Sequence, residues 1–311
     1  MSTIQRWRRG TLVASLLLLA GCSVAPTAVQ PAAQAPAPAA AAALPAATEC
    51  DNATTSYAPD GGPAPTVDAI RERGALRVGI SADTLLMGAR NPLSGQIEGF
   101  DIDMLHAISA AIFDGDPNRL QFRVITSAQR LDVLANGEVD LVARTFTMNC
   151  ERWDSIAFSG EYLHAGQKVL VPRDSTATGI DVLAGKRVCA PDGTTTLTRL
   201  QETYPDVTAV SAPTHTGCLV LFQQGKVDAI TGDDTILAGF AAQDPYAKVV
   251  GDAFSDEPYG IGVNKDQVDL VRFVNGVLDR MKADGTWAAT YDRWLHALGP
   301  APTPPTSVYG R

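Results

Sequence analysis

Strand-like and helix-like segments alternate along this chain, and this alternation constrains its fold more than any other feature of the sequence. Residues 75–80 read ALRVGI, a short apolar run typical of a buried strand, and apolar side chains then recur at helical spacing between residues 102 and 112. Further strand-like runs follow at residues 121–125 and 138–143. Strands joined through helices pair in parallel, because such a connection has to cross back over the sheet. The sequence therefore predicts an α/β fold with largely parallel sheets.

Two segments of the chain resemble each other weakly. LANGEVDLVA at residues 134–143 and FQQGKVDAIT at residues 222–231 share a helix end, a glycine, a charged residue and an apolar strand that begins Val-Asp. One interpretation is that any junction of helix, glycine and strand looks like this. The other is that the chain forms two similar α/β lobes, with a cleft that binds a ligand beyond the strand ends.

The N-terminal residues predict export. Three arginines precede an apolar run at residues 12–20, which is too short to span a bilayer and is typical of a cleaved signal peptide over residues 1–21. Residues 19–22 read LAGC and resemble a bacterial lipobox, although an ordinary signal peptide with an incidental cysteine is the alternative. We expect acyl chains on Cys22 to hold the protein on the extracytoplasmic face of the membrane.

Composition sets the two ends apart from the middle of the chain. Residues 22–66 are rich in Ala, Pro and Thr, and residues 299–311 read GPAPTPPTSVYGR. Such segments bury too little apolar surface to offset their ordering entropy, so both are predicted to be disordered, the first as a tether. The formal net charge of −9 argues against nucleic acid as a partner, although it leaves room for a small anionic ligand.

Four cysteines remain when Cys22 is set aside, namely Cys50, Cys150, Cys189 and Cys218. An even number of cysteines in an exported chain favours disulfides, and free buried thiols are the alternative. The spacings do not fit a zinc site and the four histidines are scattered, so we expect no metal and no other cofactor.

Eight segments occur in the order that is found in one protein family. With them, the chain resembles the bacterial extracellular solute-binding proteins of family 3, which are the polar amino acid receptors of ABC importers. No single segment is decisive, but their common order is specific. The segments are GALRVGISAD, IEGFDIDMLHAI, LANGEVDLVA, TMNCERWDSIAFSGEYL, DVLAGKRVCAPDGTT, LFQQGKVDAITGDD, PYGIGVNKD and VNGVLDRMKADGTWAATYDRW.

The resemblance implies the two-lobed fold of type II periplasmic binding proteins, in which each lobe is a mixed sheet flanked by helices. Lobe 1 is expected at residues 67–163 plus 259–298, and lobe 2 at residues 166–256. Two crossing segments, near residues 163–167 and 255–258, would form a hinge. The ligand would bind between the lobes, and closure around it would be a hinge motion.

The resemblance places the lobe 1 side of the site in the segment around Arg152. This arginine falls where the family has its carboxylate clamp, and a planar guanidinium suits a carboxylate because it donates two parallel hydrogen bonds. Thr145 and Thr147 are expected to assist it. The alternative is a surface Arg152 that pairs with Glu151 or Asp154.

Lobe 2 is expected to complete the site. DGTT at residues 192–195 follows a strand and opens a helix, whose first N–H groups suit an anion, and the resemblance assigns Thr194 and Thr195 to the same carboxylate. Alone, this segment is also a common helix cap. Asp233 matches the family's amine-binding aspartate, with its neighbour Asp234 as the alternative.

The residues that would select the ligand side chain depart from the family's pattern. Arg144 stands where the family has a small neutral residue, and it would suit an acidic side chain, with Arg90 as a second donor. Asp83 would instead favour an amide or ammonium, unless it simply pairs with Arg144. We expect glutamate or aspartate, followed by glutamine and asparagine.

The resemblance thus predicts a monomeric, lipid-anchored receptor that delivers amino acids to an ABC permease. One alternative is an amino-acid sensor that signals to a membrane sensor or kinase pathway. Another is an enzyme like cyclohexadienyl dehydratase, with His164 and Glu161 as acid and base, although no catalytic residues are predicted by motif. The favoured disulfides are Cys189–Cys218, within lobe 2, and Cys50–Cys150, which would join the end of the tether to lobe 1.

Overall fold

The computed structural model describes residues 52–311, which fold around two open β-sheets, one in each of two lobes. The strands are β1 (Thr55–Ser56), β2 (Leu76–Ile80), β3 (Asp83–Thr84), β4 (Gly88–Arg90), β5 (Ile97–Glu98), β6 (Leu120–Val124), β7 (Leu141–Val142), β8 (Ile156–Phe158), β9 (Leu163–Pro172), β10 (Arg187–Pro191), β11 (Thr208–Ala212), β12 (Ala229–Asp233), β13 (Ala247–Val250), β14 (Asp256–Tyr259), β15 (Gly262–Asn264) and β16 (Val308–Tyr309). The helices are α1 (Pro65–Arg73), α2 (Phe100–Ile112), α3 (Arg130–Ala135), α4 (Cys150–Ser155), α5 (Thr195–Thr203), α6 (His215–Gln223), α7 (Asp234–Gln243), α8 (Val268–Asp284) and α9 (Thr286–Trp294).

The sheet of lobe 1 has the order β6-β2-β7-β15-β8. β2 pairs in parallel with β6 and β7, whereas β15 is antiparallel to β7 and β8. Helices α2, α8 and α9 cover this sheet with one continuous core. In α8, for example, Leu270, Val274 and Leu278 recur at helical spacing and are buried. The sheet is therefore mixed, as the resemblance implies.

The sheet of lobe 2 has the order β11-β10-β12-β9-β13, with β10 parallel to β11 and β12 and with β9 antiparallel to β12 and β13. Helix α6 packs on β10 and is joined to it by a disulfide between Cys189 and Cys218. The side chains of both cysteines are fully buried. This bond ties the start of α6 to the strand that leads into α5.

Two antiparallel strands carry the chain between the sheets. β9 pairs first with β14, where Leu163 faces Tyr259 and Gly166 faces Asp256, and then continues into lobe 2. After β14 the chain returns to lobe 1 through β15. A two-stranded ribbon bends more easily than a packed sheet, so it is the natural hinge of the molecule.

The two ends of the described chain are ordered, which corrects the prediction of disorder for residues 299–311 and for the last part of the tether. β1 and β16 pair in parallel, and Ser307 and Tyr309 each donate a hydrogen bond of 2.7 Å to Asp279 of α8. Composition alone failed here because the polar tail finds specific partners on a folded surface. We call residues 52–58 and 307–311 the terminal clasp.

The terminal clasp also rests on helix α4. The guanidinium of Arg311 lies 3.8 Å from the centroid of the Trp153 ring and donates to the carbonyl of Thr55 at 2.7 Å. The indole N–H of Trp153 donates to Ala53 at 2.7 Å. Cys150, the first residue of α4, is disulfide-bonded, and its predicted partner Cys50 lies outside the described residues.

Several predictions fall on residues 1–51 and therefore outside the described part of the chain. They concern the signal peptide, the lipidation of Cys22 and most of the tether. Within residues 52–311, no helix combines the length and the apolar character that are needed to cross a membrane.

Removal of the Arg311 side chain should destabilise lobe 1. Arg311→Ala loses a cation–π contact and hydrogen bonds to backbone carbonyls, which together contribute about 1–2 kcal/mol at a partly exposed site. Urea unfolding measures the loss. Arg173→Ala is the control, because this exposed side chain makes no hydrogen bond or ion pair within residues 52–311. Equal stability of the two variants would show that the Arg311 side chain contributes nothing.

Candidate ligand-binding site

A cavity of about 10 Å³ lies between the lobes. This volume holds about one water molecule, so the lobes are closed and must separate to admit anything larger. The lining residues follow strand ends or begin helices, as is usual for sites in open α/β sheets. They are Arg130, Thr145 and Thr147 from lobe 1, and Thr194, Thr195, Thr196, His215 and Asp233 from lobe 2.

Three buried arginines, Arg130, Arg144 and Arg152, lie at the loop after β7. Arg130 lines the cavity itself, and none of the three forms an ion pair within residues 52–311. Arg152 donates to the carbonyl of Thr147 at 2.5 Å, and Arg144 donates to the carbonyl of Ile125 at 2.8 Å. Arg130 donates to the carbonyl of Ser127, just before its own helix, and to the carbonyls of Arg144 and Thr145 in the loop after β7. Burial lowers the pKa of Arg152 and of Arg144 to about 10, which leaves both charged at neutral pH. A buried guanidinium without an ion-pair partner suits an anion, because the anion would supply the missing counter-charge.

The aromatic ring of Phe146 supports two of these arginines. The guanidinium carbon of Arg130 lies 4.3 Å from the ring centroid and that of Arg152 lies 5.0 Å from it. Both guanidinium groups also reach across to lobe 2, where they donate to the carbonyl of Gly193 at 2.9 and 3.4 Å. Arg130 was missed in the sequence analysis, because it is a helix residue far from the motif that contains Arg152.

The loop after β7 is held in an unusual conformation. Thr145 has a φ of 43°, in the left-handed region that non-glycine residues rarely adopt. Its N–H donates to a carboxylate oxygen of Asp101 at 2.9 Å, and Tyr162 donates to the other oxygen at 2.6 Å. Burial raises the pKa of Asp101 to about 6. Asp101 therefore positions the loop, a role that the sequence did not indicate.

The start of α5 forms the lobe 2 side of the cavity. The hydroxyl of Thr194 caps the helix by accepting from the N–H of Leu197 at 3.1 Å. The hydroxyl of Thr195 donates to Glu257 at 2.7 Å and meets the hydroxyl of Thr147, from lobe 1, at 3.4 Å. The hydroxyls are thus engaged, and the N–H groups of the first helical turn are the donors that suit an anion.

Asp233 has one satisfied and one unsatisfied oxygen. Tyr259 donates to Oδ2 at 2.5 Å, whereas Oδ1 is buried and has no hydrogen-bond partner within residues 52–311. Burial, followed by the charge of Glu257, raises the pKa of Asp233 to about 8. Asp234, the alternative, accepts instead from the backbone N–H groups of Gly166 and Thr235 and does not line the cavity.

Of the three residues that were predicted to select the ligand side chain, Asp83 and Arg144 interact electrostatically, Arg90 lies apart, and none of the three lines the cavity. Asp83 accepts from Ser81 at 2.9 Å, and it forms no ion pair with Arg144 in the described chain. Burial raises the pKa of Asp83, but the hydrogen bond from Ser81 and the charge of Arg144 outweigh this effect and lower it. Arg90 is not at the cavity, because its exposed guanidinium donates to Gly95 within its own hairpin at 2.6 Å.

Comparison with known proteins settles the family. The model of the bacterial extracellular solute-binding proteins, family 3, matches residues 76–297. The chain belongs to this family. The predicted family and the two-lobed fold are thereby confirmed.

The similar proteins include two amino-acid-binding proteins and one solved structure. The chain is 36% identical over 231 residues to the ABC transporter glutamine-binding protein GlnH of Bacillus subtilis, covering 74% of this chain and 84% of that protein. It is 35% identical over 227 residues to the glutamate-binding protein GluB of Corynebacterium glutamicum, covering 70% and 77%. A crystal structure of a mutant ArgBP from T. maritima matches with a TM-score of 0.68 and 30% identity, covering 73% and 98%.

Closure of the lobes depends on Gly193, which has a φ of 72°. A Cβ at this position would lie 2.5 Å from the Cα of Ala128 in lobe 1, whereas Gly185 has a similar φ and open space around it. We expect Gly193→Ala to shift the protein towards an open form with a larger radius of gyration in small-angle X-ray scattering. Gly185→Ala is the matched control for backbone strain. Identical scattering from the two variants would refute the steric argument.

The raised pKa of Asp233 should make stability depend on pH. Between the ordinary value of 3.8 and about 8, the folded state holds a proton that the unfolded state has lost. This group therefore contributes stability that is present below pH 3.8 and is lost as the pH rises through 8. We expect Asp233→Asn to gain stability relative to the wild type between about pH 5 and pH 8, as urea unfolding measures. A constant difference between the two proteins would contradict this assignment.

Proposed function

We propose that this protein is an extracytoplasmic receptor that binds a free α-amino acid with an acidic or amide side chain and delivers it to an ABC permease. One observation carries the proposal. The guanidinium of Arg130 lines the lobe 1 side of the cavity, with that of Arg152 beside it on the same Phe146 ring, and Asp233, with its unsatisfied carboxylate oxygen, lines the lobe 2 side. An α-amino acid carries the two complementary charges on adjacent atoms.

The α-carboxylate is assigned to Arg152, together with Thr147 and the first turn of α5. A carboxylate is a stronger acceptor for Arg152 than the carbonyls of Thr147 and Gly193, because both partners are then charged. The N–H groups at the start of α5 approach the same anion from lobe 2. One ligand group thus links both lobes.

The α-ammonium is assigned to Asp233. An ammonium that donates to Oδ1 would satisfy this buried oxygen and would favour the ionised carboxylate, so its arrival would lower the raised pKa. Tyr259 holds the other oxygen and fixes the direction of the carboxylate. Both ends of the amino acid backbone are then bound by groups that lack a charged partner in the described structure.

The class of side chain is supported by Arg144 and by the relatives. Arg144 directly precedes the lining residue Thr145 and is buried without an ion pair in the described chain, which suits an acidic or strongly polar side chain. The two relatives compared above are named as a glutamine-binding and a glutamate-binding protein, and the first is named as part of an ABC transporter. We therefore propose a permease as the partner that recognises the closed form.

The remaining features follow from this role. We propose that residues 67–163 with 259–298 and residues 166–256 move as the two lobes, and that Cys22 carries the lipid anchor of a monomer. We also propose that the ligand is released unchanged. The candidate acid and base, Glu161 and His164, bond to each other at 2.8 Å on the hinge side, and neither lines the cavity.

Calorimetry with the full mature chain tests the proposal. We expect L-glutamate, L-aspartate, L-glutamine or L-asparagine to bind, and a ligand at 100 times its Kd to add about 2.7 kcal/mol to the free energy of unfolding. Arg152→Lys and Asp233→Asn should each lower the affinity by roughly tenfold or more. The first loses the paired hydrogen bonds of a guanidinium to the carboxylate, and the second leaves the ligand ammonium without its charged partner. Arg173→Ala serves as the control. Absence of heat with all the common amino acids would refute the function.

A further inference from the structure

His215 is a buried ring at the cavity with an unused nitrogen. It is the first residue of α6 and is 4% exposed, and its Nδ1 is buried without a hydrogen-bond partner within residues 52–311. The helix start is fixed, since the hydroxyl of Thr214 accepts from the N–H of Gly217 at 3.0 Å. A polar atom that is buried without a partner costs stability, so its position at a binding cavity indicates a ligand contact.

The charges around the cavity divide it into two ends. Arg152 interacts with Asp233 and Glu257, which form the end assigned to the ligand backbone. His215 interacts instead with Arg144, Asp83 and Arg130. Arg130 lies between the ends, because it interacts with both Arg152 and Arg144. His215 therefore faces the end that is left for the ligand's side chain.

Closure of the lobes brings His215 to that end. Thr216 directly follows His215, and its hydroxyl donates to the backbone carbonyl of Asp83 in lobe 1 at 2.8 Å. This bond docks the first turn of α6 on β3. His215 is thus contributed by lobe 2 to a subsite whose arginines belong to lobe 1.

His215 is neutral in this environment. Burial, followed by the charge of Arg144, lowers its pKa to about 3, and Arg130 acts in the same direction while Asp83 opposes them. A carboxylate in the subsite would offset the arginine charges and would offer the imidazole an acceptor. Both effects favour the protonated ring, whereas the neutral amide of glutamine carries no negative charge to offset the arginines.

We propose that His215 determines side-chain specificity by binding the terminal carboxylate of an acidic ligand together with Arg144, and that it takes up a proton from solvent when it does so. The inference rests on the proposed function, because it assumes an amino acid in the cavity. It makes the preference for glutamate over glutamine stronger as the pH falls.

Calorimetry in two buffers of different ionisation enthalpy, at about pH 5.5, measures protons that are taken up on binding. Glutamate and glutamine have the same backbone groups, so protonation changes at Asp233 cancel in the difference between them. We expect glutamate to take up roughly half a proton more than glutamine. His215→Gln should abolish this difference and lower the affinity for glutamate by roughly tenfold, with little effect on glutamine.

Two controls keep the result interpretable. His164→Gln removes the hinge histidine, which has carboxylate partners of its own, and should leave the glutamate-specific uptake intact. If His215→Gln fails to fold, nitrogen NMR of the wild type replaces it: the His215 ring should shift towards the imidazolium form with glutamate only. Equal proton uptake with both ligands, or an unchanged ring, overturns the inference and leaves the proposed function standing. Failure of both ligands to bind overturns the inference, and the proposed function is refuted with it only if no other common amino acid binds.

Discussion

Arg130, Arg144 and Arg152 carry positive charge into a region that is closed to solvent, and the rest of the site is arranged around this constraint. Burial of an ion without a counter-ion is costly, so each guanidinium is supported by carbonyl oxygens, and two of them lie over the ring of Phe146. Asp101 holds the left-handed turn at Thr145 that directs these carbonyls. The loop after β7 is strained because it has to serve the arginines on one side and the cavity on the other.

The same arginines explain why closure and binding are coupled. In the closed form Arg130 and Arg152 donate to the carbonyl of Gly193 across the cleft, so the lobes meet through charged donors and a neutral acceptor. A carboxylate is a stronger acceptor for the same donors. A ligand that supplies one therefore stabilises the closed form more than the open form, which is the requirement for a population shift. Gly193 permits this contact because no Cβ separates the two backbones.

Sequence patterns were sufficient where the relevant residues are local, and insufficient where the fold brings distant residues together. The strand predicted at residues 75–80 is β2, and the residues singled out at Thr145, Thr147, Thr194, Thr195 and Asp233 do line the cavity, because each follows a strand end or opens a helix. Arg130, Asp101 and His215 lie in other segments, and only tertiary packing shows their roles. Arg90 was misjudged because a charge near a strand end can turn back to its own hairpin. The C-terminal tail was misjudged because composition does not report the partners that a folded surface offers.

The terminal clasp has a mechanical consequence. Residues 52–58 and 307–311 both pack against lobe 1, on α4 and α8, so traction applied through either end is borne by one lobe and bypasses the ribbon of β9 and β14. Lobe 2 can then rotate about this ribbon while lobe 1 is held at both ends of the chain. A load on the chain ends would leave the opening angle, and hence the grip on the ligand, unchanged.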